Sequence, residues 1–434
     1  MNALLASRQN ADALLKRGRP GDLRTAATLL ASVIDSLHPR LWQDGDDATR
    51  FELGCAWINY GNALLRLDNR EHLLDASEAY RQAIHHLDQL AEPLPPAYRV
   101  ERSAAWANLA HTLQLPEDPT SWEAARRCYQ TALDALKGLP PLPRYLHRLA
   151  GTWLNLANCD QLLGKHEEAI TAYRQAENVL ADHEHHEPGQ SFDGLRLRIW
   201  LNRANTLAQL EEPEADRRAL DDLDRAIAGL RTQPDQSFDL AQALANQANL
   251  RTRDEADVVG LQAGLAAARE AWKGSQDLAF TSLKWAEVSL QAFRAALQCL
   301  TLLVPRLAET LDTDTLYFEA SDLADEAMEL FRHWQATPQA QLWPIGRRIF
   351  HLGTQLYAHA QPQFLPAFLF ENLQSGQAPF AMCADRELRA SAAVALDTAL
   401  HQLRYERQVS LDHAEVIFHL IRQLERTRED LGLA

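Results

Sequence analysis

The sequence predicts an all-α protein: a solenoid of stacked antiparallel helix pairs closed by a helical C-terminal cap. Three observations predict it. The words WINYGN, WANLAH, WLNLAN, WLNRAN and LANQAN place Trp57, Trp106, Trp153, Trp200 and Leu244 at equivalent positions, 49, 47, 47 and 44 residues apart. A period in this range belongs to stacked helical units. Each of the first four words is followed by a second apolar pattern, Ala76, Tyr80, Ala83; Ala125, Tyr129, Ala132; Ala169, Tyr173, Ala176; and Ala219, Leu223, Ala226. The i, i+4, i+7 spacing is one face of a helix, and no stretch shows the period-two alternation of a strand.

The elements follow in order. Residues 4–34 form a degenerate first pair, and the repeat copies cover 54–88, 103–136, 150–178 and 197–230. Residues 241–272 are a fifth pair with Leu244 in the Trp position, and 285–334 a further pair whose signature has decayed. Helical patterns near 344–358, 362–374, 385–406 and 411–430 make one more pair and a capping bundle. The expected organisation is thus 1–50, an N-terminal pair or cap; 51–280, the repeats; 281–340, a divergent pair; and 341–434, the helical cap. Pro and Gly clusters such as AEPLPPAY (91–98), KGLPPLPR (137–144), HEPGQS (186–191) and QPDQS (233–237) mark loops between repeats. The segment DHEHHEP, with His183, His185 and His186, is expected to be a solvated loop between repeats. One pair cannot bury its apolar face alone, so neighbours must stack into a continuous core.

The order Trp153, Leu156, Ala157, Gly164, Ala169, Tyr173, Ala176 resembles the tetratricopeptide repeat consensus, and 150–178 matches it almost throughout. The copies at 54–88, 103–136 and 197–230 resemble it with about three extra residues between the helices, which is similar to a long-period bacterial variety of the repeat. The resemblance implies a right-handed solenoid whose first helices line a concave surface, and peptide-binding or adaptor roles.

Composition narrows the function classes. The chain of 434 residues is 46% hydrophobic and 24% charged, the make-up of a folded protein. Its net charge of -16 weakens the case for a nucleic-acid partner, because that affinity needs Lys and Arg to neutralise phosphates. Cys55, Cys128, Cys159, Cys299 and Cys383 form no CxxC and read as reduced thiols. The start, MNALLASRQNADALLKRGRPGD, is broken by polar residues, and the longest apolar run, around Leu300 to Val304, is too short to span a bilayer. The expectation is a cytoplasmic chain with no membrane partner.

The candidate site is a ladder of amides. On a helix, Asn155 lies about 200° from Trp153 and Asn158 about 140°, so the pair faces away from the buried stripe. Asn59 and Asn62, Asn202 and Asn205, and Asn246 and Asn249 repeat the arrangement; Asn108 and His111 stand at the equivalent positions of the second copy. Each amide offers a donor and an acceptor, so a ladder can hold the backbone of an extended peptide. The other reading is that these amides bond a neighbouring repeat. Carboxylate clamps of this repeat family combine comparable Asn with Lys or Arg. Here Ile58, Ala107, Leu154, Leu201 and Ala245 precede ladder Asn residues, without a Lys. Arg66 and Arg198 could supply positive charge to the groove, whereas Arg203 is read as an inter-repeat salt-bridge partner.

Catalytic signatures are missing from the sequence: no GxxxxGK[ST], GxGxxG or GxSxG occurs, and the His-rich segment lacks HExxH or a Cys/His framework. No cofactor and no metal is expected. The reading is a non-catalytic scaffold or adaptor for a protein or peptide partner, in a complex with the product of a neighbouring gene. A signalling or defence effector is the partner the family analogy implies. Two alternatives stand beside it. One is an enzyme with its site around Trp343 to Cys383. The other is a structural subunit assembling through the last helix, with Val416, Ile417, Leu420, Ile421 and Leu424.

Overall fold

A computed structural model of the chain describes residues 2–67, 70–116, 118–186, 193–307, 313–334, 342–373, 385–409 and 414–433. Among the described residues there are helices and no strand. They run α1 (Asn2–Arg17), α2 (Pro20–Asp44), α3 (Asp47–Leu65), α4 (Arg70–Leu87), α5 (Pro96–Gln114), α6 (Pro119–Leu136), α7 (Pro143–Leu162), α8 (His166–His186) and α9 (Asp193–Ala208). Then follow α10 (Pro213–Leu230), α11 (Ser237–Arg251), α12 (Val258–Ala279), α13 (Leu283–Leu307), α14 (Thr313–Trp334), α15 (Leu342–Ala360), α16 (Leu365–Leu373), α17 (Arg386–Val409) and α18 (Ala414–Asp430). The chain divides into two compact units, Met1–Ala215 and Asp216–Ala434, a coarser division than the four segments expected.

Local chemistry sets the helix ends. α5, α6, α7 and α10 each begin on a proline, whose fixed φ suits the first turn and whose missing N–H has no intrahelical acceptor there. Asp118 caps α6 by accepting from the N–H groups of Thr120 and Ser121 at 3.2 and 3.1 Å. α7 ends on Gly164 at φ +71°, where Lys165 N donates to Asp160 O at 2.8 Å and Gly164 N to Gln161 O at 3.0 Å. That left-handed turn costs a glycine little, which is why α8 can reverse onto α7 within three residues. The three extra residues of the long copies become helix: α4, α6 and α10 start six residues before Ala76, Ala125 and Ala219, whereas α8 starts three before Ala169. Each insertion adds about one turn to the second helix of its pair.

In unit 1 each helix packs on the next, and the first helices of successive pairs also touch: α1 on α3, α3 on α5, α5 on α7 and α7 on α9. Tyr80, Tyr129 and Tyr173 fill the space between the helices of their pairs and are wholly buried among small residues such as Ala76, Ala125 and Ala169. Gly61 lets α3 and α4 close up, since a Cβ there would meet the Tyr80 ring at 2.7 Å. The repeated tryptophans Trp57, Trp106 and Trp153 lie half-buried against the same core.

In unit 2 the pairing continues through α11 and α12, α13 and α14, and α15, α17 and α18. Trp272 packs on Phe293 with ring centroids 4.4 Å apart, Trp343 on Phe331 at 5.3 Å, and Trp334 donates from Nε1 to Ala279 O at 2.8 Å. Leu283–Val304 in α13 is long and apolar enough to cross a membrane, though no short run within it signals this; most of it is buried against α11, α12, α14 and α15.

One local expectation is corrected. The segment carrying His183, His185 and His186 is the last part of α8, not a loop, because no helix breaker precedes Pro188. The rest of HEPGQS lies outside the described residues, as do 374–383, the last ten residues of the segment considered for an active site, Cys383 among them.

Candidate functional site

The ladder positions are brought together, but chiefly with one another. Asn62 Oδ1 accepts from Nδ2 of Asn108, one repeat on, at 2.9 Å and from the hydroxyl of Tyr80 at 2.8 Å. Asn158 Oδ1 repeats this with Nδ2 of Asn202 at 2.9 Å and the hydroxyl of Tyr173 at 2.7 Å. Asn59 reaches backwards in the same way, donating from Nδ2 to Asp12 Oδ1 on α1 at 2.7 Å. The polar row is therefore a seam between first helices. It satisfies the Tyr hydroxyls that the core would otherwise strand.

Unit 2 has a polar row of its own, built from other side chains. Asn249 donates to the carbonyl of Ala245 and accepts from Arg294 Nη2 at 2.8 Å; Arg294 stands where the next repeat would carry its first Asn. Gln298 Oε1 accepts from Arg348 Nη2 at 2.7 Å, and His351 Nδ1 meets Ser391 Oγ at 3.2 Å. Sequence reading missed Asp12, Arg294, Gln298, Arg348, His351 and Ser391, because they share a place in the stack and not a residue type. A separation of about one period from each known Asn was the available signal. Asn205, in unit 1, and Asn246, in unit 2, each have an interaction partner.

The arginines divide by role. Arg66 donates to the Leu15 carbonyl in the last turn of α1, so it caps a helix end. Arg203 is buried and pairs through Nη1 with Glu177 Oε2 on α8 at 2.5 Å, while Trp200 Nε1 takes the other carboxylate oxygen at 2.7 Å. That is the inter-repeat role expected of it. Arg198 stays exposed on α9.

Between α5 and α7 the seam is interrupted. His111 replaces the second Asn of that repeat, is exposed, and burial of its surroundings holds its pKa below the usual value. Tyr129 turns its hydroxyl to Gln114 Oε1 at 3.0 Å instead. Among the described residues the amide of Asn155 forms no hydrogen bond. A cavity of about 240 Å³ opens beside it, lined by Ala107, Asn108, Arg144, His147, Arg148, Gly151, Thr152 and Asn155. Its lining has three basic side chains and no acid. Partial burial, then the charges of Arg148 and Arg198, lower the His147 pKa, which keeps that ring neutral near pH 7. Gly151 leaves the floor open, since a Cβ built there meets nothing within 4 Å.

A second cavity, of about 700 Å³, lies between α1, α3 and α5 and is lined by Arg8, Asp12, Lys16, Asn59, Asn62, Arg66 and Glu101 among others. There the charges are mixed. Burial raises the pKa of Asp12 and of Glu101, and neighbouring arginines partly offset it. Among the described residues no group of three or more His, Cys, Asp and Glu side chains is placed to hold a metal ion.

No protein-family model matches the sequence, and neither does any curated protein. Among solved structures the chain is similar to BtubC (BKLC) from P. vanneervenii at 16% identity and a TM-score of 0.45, over 59% of this chain and 92% of that one. It is similar to a Signal Transduction ATPase with Numerous Domains protein with a tetratricopeptide repeat sensor from Pyrococcus horikoshii at 12% and 0.43, over 87% of this chain and 52% of that one. A Rap protein complexed with competence and sporulation factor gives 13% and 0.37 over 99% of both chains. These likenesses are low, and the assignment rests on the repeats of the sequence and their helix pairs. On that ground the chain is an all-α protein of consecutively packed helix pairs whose sequence repeats resemble the tetratricopeptide repeat.

Proposed function

We propose that the chain is a non-catalytic scaffold that binds an extended segment of a partner protein, anchored at the interruption between α5 and α7. The observation that carries this reading is the Asn155 amide, which forms no hydrogen bond among the described residues and lies beside an open, basic cavity. Most other ladder amides are engaged between repeats. Asn155 keeps a donor and an acceptor available, the pair of groups that an extended backbone presents in complementary form. Arg148 and Arg198 add positive charge for an acidic residue of the segment, and a preformed helical surface lowers the ordering cost of binding. The repeat resemblance supports a signalling or defence effector as partner, in a complex with a neighbouring gene's product, and scattered cysteines without a CxxC suit a cytoplasmic setting.

The test separates binding from folding. Gly151→Leu fills the cavity floor without a clash at Cβ, and Asn155→Ala removes the amide; both should match or exceed wild-type stability. Proteins captured quantitatively by wild type and lost on both variants, with affinity then measured by calorimetry on the identified segment, would support the reading. Capture of the same proteins, at the same affinity, by all three forms would sink it.

A further inference from the structure

Arg294 is a half-buried cation without a carboxylate. Its guanidinium donates to Asn249 Oδ1 at 2.8 Å, and among the described residues no Asp or Glu forms an ion pair with it or with Arg348. One turn along α13, Gln298 accepts from Nη2 of the exposed Arg348 of α15 at 2.7 Å, which brings a second guanidinium to the same stretch of α13. Burial lowers the Arg294 pKa from its usual value, and the nearby charge of Arg348 acts in the same direction. Buried Arg203 is neutralised by Glu177 and part-buried Arg126 by Asp160 at 2.5 Å, whereas Arg50 and Arg99, like Arg294, donate to neutral oxygens; Arg294 is set apart from these by the second arginine beside it. A sequence with 59 acidic residues against 43 basic ones has carboxylates in excess. Two guanidiniums whose charges act on one another, and whose hydrogen-bond partners among the described residues are neutral amides, form an arrangement that an external anion completes.

We propose that Arg294 and Arg348 bind a carboxylate side chain of an acidic segment on a partner protein. The inference rests on the reading that the first-helix face takes an extended segment, and it names the chemistry of a contact made in unit 2. The guanidinium fork matches a carboxylate in two parallel hydrogen bonds. Asn249, Gln298 and Ser391, set on α11, α13 and α17, supply neutral polar groups along the same row, which suits a peptide crossing successive helices.

The experiment uses the full chain and fluorescence anisotropy at low salt, with a labelled peptide of alternating Glu and Val and a counterpart carrying Gln for every Glu. The Glu peptide should bind at least about tenfold more tightly. Arg348→Gln should remove that preference and leave the Gln peptide's affinity unchanged. Arg294→Gln should do the same, with its fold checked by circular dichroism. Equal binding of the two peptides would overturn the proposal, as would a preference that survives Arg348→Gln. Displacement of the Glu peptide by micromolar inorganic phosphate at constant ionic strength would overturn it in favour of a phosphate site. If the Gln peptide binds and Gly151→Leu abolishes that binding while no Glu preference exists, only this inference falls. If neither peptide binds, the segment-binding reading falls with it.

Discussion

Asn108 donates to the amide oxygen of Asn62 across 2.9 Å, and the two residues are 46 positions apart, one repeat. The same oxygen takes the hydroxyl of Tyr80 from the second helix of its own pair. One amide thus joins three helices: α3 carries it, α4 supplies the Tyr and α5 the next Asn. The recurrence of Asn at this place in the stack has a packing reason before it has any binding reason.

Asn62→Ala should therefore lower stability by about 1–3 kcal/mol, because it leaves the Tyr80 hydroxyl and the Asn108 amide without their acceptor. Tyr80→Phe, which removes one donor only, should cost about 1 kcal/mol. Asn62→Asp keeps an acceptor and should fall between Asn62→Ala and wild type. Thermal unfolding followed by circular dichroism measures all three; wild-type stability in Asn62→Ala would show that the seam contributes nothing.

Gly61 and Gly151 should respond oppositely to alanine. At Gly61 the new Cβ meets the Tyr80 ring at 2.7 Å, and overpacking of this kind costs about 1–3 kcal/mol. At Gly151 it meets nothing, and the helix gains about 0.5–1 kcal/mol from the better former. Urea titrations of the two variants should shift in opposite directions; a Gly61→Ala protein as stable as wild type would mean that α3 and α4 are not packed as closely as described, and a destabilised Gly151→Ala that the space at Gly151 is not open.

His86 should make the fold acid-sensitive. The residue is buried on α4 with neither ring nitrogen hydrogen-bonded, near His38 and His85 at ring distances of 5.8 and 5.3 Å. Burial, then the charges of His85, His38 and Arg50, push its pKa down to about 4. The unfolded chain, with an imidazole near 6.5, binds more protons between these values. The contribution is therefore complete above about pH 6.5, is lost as pH falls toward 4, and reaches at most about 3 kcal/mol. Stability against pH should be flatter in His86→Leu across this window; an unchanged slope would place the acid sensitivity elsewhere.

Native cysteines should resist alkylation. Cys55, Cys128, Cys159 and Cys299 are buried, and burial pushes the thiols of Cys159 and Cys299 up to about 12 and raises those of Cys55 and Cys128. Since the thiolate is the reactive form, iodoacetamide at pH 8 should label these four slowly in native protein and rapidly in urea. Peptide mapping by mass spectrometry reads the outcome, and fast native labelling of Cys159 would contradict its burial.

Much of the fold was legible because its causes are local. Ala76, Tyr80 and Ala83 recur in later pairs with a helical spacing, Pro119 and Gly164 mark an end each, and the period itself demands stacking. The site was legible in position and not in use. The i, i+3 spacing of Asn155 and Asn158 showed that both face away from Trp153. It could not show that Asn158 is engaged by Asn202 and Tyr173 whereas Asn155 has no such partner among the described residues. Arg66 looked like a groove cation for the same reason: its acceptor, the Leu15 carbonyl, comes from a helix 51 residues away.

The sequence by itself determined the helix pairs, their order and the two faces of each first helix, because periodicity and punctuation act within a few residues. Tertiary structure alone decided which amides bond each other, since those partners are a full repeat apart and their distances depend on how the helices stack. It also decided where the seam breaks. His111 stands where the pattern of the other repeats would place the Asn that bonds Asn155, and among the described residues Asn155 forms no hydrogen bond there and half-buried Arg294 no ion pair.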